Sequence, residues 1–116
     1  MNKREKVLGL LEGSSQQGYV PAGFFIHFPE AYHQGQAAID KHLEYFHYTD
    51  MDFLKIQFEN RFPDRPEIKK PADWAHMPLY GQDFYENQLG IVAGLVKAAK
   101  KESLVIMTVY SACLVN

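Results

Sequence analysis

The chain has 116 residues, 47% of them apolar, and a formal charge of -2, which sets it among globular proteins of one domain at most. That charge and the absence of a long Lys/Arg cluster remove the electrostatic footprint of a nucleic-acid binder, so no nucleic-acid partner is expected. No apolar run reaches the ~18 residues of a membrane span, the N-terminus lacks an apolar signal core, and Cys113 is the single cysteine; the expectation is a cytoplasmic protein without membrane contact, disulfides or multi-cysteine zinc.

Asn2 and Glu5 have the spacing of a capping box, Val7, Leu8 and Leu11 form one apolar stripe, and Gly13 stands where a helix would stop. A short helix therefore opens the chain, and a polar loop from Ser14 to Tyr19 follows it. Val20 to His27 is a continuous apolar run with Pro21 near its start and Pro29 after it, which predicts a first parallel strand covered on both faces. Gln36 to His47 carries Ile39, Leu43 and Phe46 on one side and reads as a helix.

Asp52 to Glu59 alternates in part and predicts a second strand, which the intervening helix makes a parallel neighbour of the first. Asn60 to Tyr80 contains Pro63, Pro66, Pro71 and Pro78 together with Trp74, and reads as a long functional excursion. Gln82 to Lys101 is the clearest helix, with Tyr85, Leu89, Val92, Val96 and Ala99 at helical spacing and lysines at its C-terminal end. Leu104 to Tyr110 predicts a third buried strand. Three parallel strands with helices between them make part of an α/β architecture with an uncovered edge, so a homo-oligomer or further protein is the expected partner.

Residues just past the C-terminal ends of parallel strands face the site in such folds, which singles out His27, Glu59 and Ser111. Glu59 is suited to act as a carboxylate base or as an acceptor for a substrate N–H, and is otherwise a solvated loop carboxylate. His27, between aromatic residues, is suited to shuttle a proton or orient a carbonyl, and is otherwise a structural histidine. Phe28, Gln57 and Ser111 complete the expected lining for a small-molecule substrate. His27, His33, His42, His47 and His76 show no recognised ligand spacing, and Gly81, Gly90 and Gly94 lack the pattern of a phosphate loop, so neither a metal nor a cofactor is expected from this chain alone. Cys113 reads as a small buried hydrophobe.

Several stretches resemble the N-terminal third of the uroporphyrinogen decarboxylase family, which includes corrinoid-dependent methyltransferases. They are Val20-Pro21, Ile26-His27-Phe28-Pro29-Glu30, Asp50-Met51-Asp52-Phe53-Leu54-Lys55-Ile56, Pro71-Ala72-Asp73-Trp74 and Val105-Ile106-Met107-Thr108-Val109-Tyr110-Ser111. The resemblance implies a (β/α)₈ TIM barrel of about 250 residues, of which residues 1–116 supply the opening helix and three strands. It places Ile26 and His27 at an Arg-Gln pair that grips tetrapyrrole carboxylates, Glu30 near a later Arg, and Glu59 at an Asp that binds pyrrole N–H groups. With those arginines replaced, a polycarboxylate loses charge-assisted bonds of roughly 1.5–3 kcal/mol each. The implied function is that of an N-terminal fragment of a decarboxylase-family lyase, inactive alone, with Glu59 as polar anchor and His27 as accessory group. Two alternatives stand beside it: part of a zinc-using corrinoid methyltransferase with ligands elsewhere, and a truncated chain that self-associates and catalyses nothing.

Overall fold

The structure is a computed structural model that describes residues 1–14 and 18–109. Its elements in chain order are α1 (Lys3–Leu11), α2 (Gly35–Thr49), β1 (Phe53–Ile56), α3 (Gln82–Ala99) and β2 (Leu104–Met107), with short 3₁₀ segments at Glu30–Tyr32 and Pro71–His76. The capping box forms as its spacing requires: the Asn2 side chain accepts from the Glu5 N–H at 2.9 Å, and Glu5 accepts from the Asn2 N–H at 3.0 Å.

β1 and β2 are parallel, with Phe53 beside Leu104 and Ile56 beside Met107, and α3 makes the crossover between them. The two-residue period of a strand sends Leu54 and Ile56 to one face, where they are buried against Ala38 and Phe46 of α2 and Ile91 and Leu95 of α3. Helices α2 and α3 approach closely at Gly94: a methyl group there would lie 2.4 Å from the Ile39 Cδ1 atom. The opposite face carries Phe53, Lys55 and Ile106 and lacks helical cover, and Ile106 is exposed.

α1 closes the N-terminal ends of the two strands. The Arg4 N–H, one of the first-turn donors a helix leaves unpaired, donates to the Glu102 carbonyl just before β2 at 3.0 Å. Lys3 donates to the Met51 carbonyl just before β1 and to Asp50, both at 2.7 Å, while its ammonium lies 4.7 Å from the Phe46 ring centroid.

The expected three-stranded, barrel-type sheet is overturned: the described residues form an open sheet of two parallel strands. The apolar run from Val20 to His27 is extended but is not a strand, and Phe24, Phe25 and Ile26 are 49%, 47% and 43% exposed. The reason is how the run is attached. Side chains of the neighbouring segment fasten its ends: Asp52 accepts from the Ala22 N–H at 2.8 Å and from the Tyr19 hydroxyl at 2.7 Å, and Glu59 accepts from the Phe28 N–H at 3.3 Å. One backbone bond, from the Asp52 N–H to the Ala22 carbonyl at 2.8 Å, joins the same end. The run therefore travels beside β1 in the same direction, with carboxylates standing in for ladder bonds. The third predicted strand is present as β2 over Leu104–Met107; Tyr110, Ser111 and Cys113 lie outside the described residues.

With a radius of gyration of 17.5 Å, the chain is drawn out beyond the ~13 Å of a compact domain of about 100 residues. No helix among the described residues is long and apolar enough to cross a membrane.

Candidate functional site

Glu59 stands three residues past the end of β1, and its side chain is 11% exposed. A carboxylate so withdrawn from water needs donors close by. The Phe28 N–H supplies one at 3.3 Å, and His27 Nδ1 lies 3.2 Å from both carboxylate oxygens. Facing a carboxylate, Nδ1 is the nitrogen that carries hydrogen, which leaves Nε2 of His27 for proton exchange. The imidazole itself is 60% exposed and is steadied by an edge-to-face contact with Phe25 at 4.8 Å.

His33 comes to the same carboxylate from the turn after Pro29. Its Nε2 sits 3.6 Å from Glu59 Oε2, an ion-pair distance beyond hydrogen bonding, and donates at 2.5 Å to the Phe28 carbonyl. Asn87 of α3 fixes this turn by donating to the His33 carbonyl at 3.0 Å and accepting from the Gly35 N–H at 3.1 Å. Gly35 itself has φ +58°, a conformation that costs a residue with a Cβ. The result is a polar cavity of about 240 Å³ lined by Glu30, His33, Glu59, Asn60, Arg61 and Asn87.

A third histidine, His42 of α2, holds the strand exit from beneath. His42 is buried, donates through Nδ1 to the Ala38 carbonyl at 2.6 Å, and accepts the Gln57 N–H on Nε2 at 3.0 Å. That pattern belongs to the neutral ring, and burial pushes the His42 pKa below its ordinary value, the Ala38 bond and Glu59 opposing in part. Phe28 packs on this ring edge-to-face at 4.8 Å and is itself buried.

Of the residues singled out from sequence, His27 and Glu59 are in contact, and Phe28 sits beneath them as a buried brace whose N–H serves Glu59. Gln57 is 1% exposed, and its side-chain amide has no hydrogen-bond partner; its place is under the rim. Ser111 falls outside the described residues. His33 and Asn87 belong to the site and carry no signal in the sequence, since His33 is 26 residues from Glu59 and Asn87 is 54 from His33. Among the described residues no group of three or more His, Cys, Asp or Glu is arranged to hold a metal ion. No family model, curated protein or solved structure matches the chain.

Proposed function

We propose that the chain is the site-bearing portion of a lyase akin to the uroporphyrinogen decarboxylases, acting on a small carboxylic acid in the cytoplasm. The observation that carries the reading is the Glu59–His27 pair: a nearly buried carboxylate bonded to an exposed imidazole at the exit of a parallel strand. In the proposed step the bond between the substrate carbon and its carboxylate breaks, CO₂ leaves, and the electron pair stays on carbon. His27, as imidazolium, then delivers the Nε2 proton to that carbon while Glu59 offsets the positive charge and keeps the ring oriented. Glu59 is thus the positioning group, and His27 the group that meets substrate.

Glu30 and Glu59 line one cavity with Arg61 as the lining cation, which favours a substrate with few carboxylates over a tetrapyrrole polyacid. The same shortage of cations to grip a polyacid leaves room for a second reading, methyl transfer with metal ligands supplied from elsewhere. The exposed Ile106, on the sheet face that lacks helical cover, supports completion of the site by further protein or by a second copy.

The test is CO₂ release from a panel of mono- and dicarboxylic acids by the full protein. His27→Gln is expected to lower kcat by about 10²-fold or more, the usual weight of a positioned proton donor, and Glu59→Gln to lower kcat and shift its pH profile. Turnover unchanged in both variants refutes the assignment. Stoichiometric zinc together with methyl transfer to a thiol replaces it by the second reading.

A further inference from the structure

The excursion from Asn60 to Tyr80 encloses a second cavity, of about 360 Å³, that plays no part in the step above. Its size is that of a small-molecule site, for which roughly 300 Å³ is the lower bound. Part of the wall is aromatic. Phe62, Tyr80 and Phe84 contact one another, with Tyr80 stacked on Phe84 at 4.4 Å and Phe62 5.2 Å from Phe84. Phe62 and Tyr80 line the cavity with Tyr85 of α3 and Trp74 of the 3₁₀ turn, and Trp74 is 43% exposed there.

The excursion is held in shape. Asn60 donates to the Phe84 carbonyl at 3.1 Å, and Asp73 accepts from the Lys69 and Lys70 N–H groups at 3.0 and 3.1 Å, fixing the turn that bears Trp74. An aromatic surface that stays open on a braced loop is a surface prepared for a flat partner.

One cation stands among these rings. Arg65 lies 6.0 Å over the Tyr80 ring and donates from Nη2 to the Tyr80 hydroxyl at 3.3 Å. Its Nε is buried without a hydrogen-bond partner, and Glu67 lies 3.8 Å from Nη1, an ion-pair distance beyond hydrogen bonding. A guanidinium offers five donors in a rigid fork matched to a carboxylate, and this one spends a single donor on a neutral hydroxyl. Asp64 also lines the cavity, but a cationic ligand would meet Arg65 as a like charge, and a neutral ring would leave the remaining donors of the fork unanswered.

We propose that this cavity is a binding site for a planar aromatic carboxylate, whose ring lies against Tyr80 and Trp74 and whose carboxylate is taken by Arg65. The site is separate from the Glu59–His27 pair and does not depend on its role.

Calorimetric titration of the protein with 2-naphthoate tests it, with Trp74, the only tryptophan, as a fluorescence reporter of location. The expected result is saturable binding that quenches Trp74, is about tenfold or more tighter than for 2-naphthylmethylamine, and weakens about tenfold or more in Arg65→Gln. Arg65→Lys, which keeps the charge and loses the fork, is expected to fall between and serves where the Gln variant does not fold. No saturable binding, equal affinity for the amine, or undiminished binding in the folded Arg65 variant overturns the proposal. So does binding that is lost in Glu59→Gln and kept in Arg65→Gln, which locates the ligand at the other site.

Discussion

Replacing His42 by Leu tests the joint between α2 and the exit of β1. The ring nitrogen Nε2 accepts the buried Gln57 N–H at 3.0 Å, and leucine fills much of the same space without offering an acceptor. A buried N–H left without a partner costs about 1–3 kcal/mol, and the lost contact with Phe28 adds to it, so a loss of about 2–4 kcal/mol is expected. The pH dependence is the sharper readout. Burial holds the folded-state pKa of His42 below the ordinary value of 6.5, so the unfolded chain binds more protons in that range. Stability supplied by the neutral ring is therefore complete above about pH 6.5 and is lost as pH falls from there through the depressed folded value. Urea unfolding at pH 7.5 and at pH 5 measures both effects: wild type should weaken on acidification by more than His42→Leu does. An equal acid loss in the two proteins, with Gln57 amide exchange unaltered by the substitution, refutes this account.

Two further substitutions probe the frame around the site. Asp52→Ala removes the acceptor of the Tyr19 hydroxyl and the Ala22 N–H, and should cost about 1–2 kcal/mol in urea unfolding. Burial, with the bond to Asp52 and its charge, pushes the Tyr19 pKa up to about 12, and an absorbance titration should find it lowered toward 10 in the variant. In wild type the stabilisation tied to that shift is present below pH 10 and lost as pH rises toward 12. Lys100→Gly, at φ +49° after α3, should stabilise the fold by about 0.5–1 kcal/mol, since glycine adopts this left-handed cap without a Cβ penalty; a loss of stability by thermal unfolding refutes it.

What the sequence disclosed follows the range of the forces involved. The Asn2/Glu5 box, the helices of residues 35–49 and 82–99, and the short strands at residues 53 and 104 rest on patterns a few residues long. The pairing of His27 with Glu59 was legible because strand exits of parallel units meet on one side, and it survives although the first of those runs is not a strand. The run from Val20 to His27 misleads because an apolar stretch is scored as buried, whereas attachment at Asp52 and Glu59 leaves its middle half-exposed. His33, Asn87 and the Arg65–Tyr80 contact depend on how loops fold back over 15 to 54 residues, and no short-range pattern encodes that.

The two ends of the strand pair are built for different work. At the N-terminal ends every polar attachment is structural: Lys3 and Arg4 of α1 are spent on the backbone of Met51 and Glu102. At the C-terminal ends the structural bonds are made by groups below the rim, His42 on Gln57 and Asn87 on the 33–35 turn. His27 is thereby relieved of carrying the fold: Glu59, which also ties down the Phe28 N–H, holds the imidazole, 60% exposed, on a fixed bearing with one nitrogen uncommitted. Such division suits the proton-transfer role proposed for His27, because a side chain that must also brace the backbone is not free to change its charge. The buried amide of Gln57, two residues before Glu59, is the exception below the rim, since it has no hydrogen-bond partner.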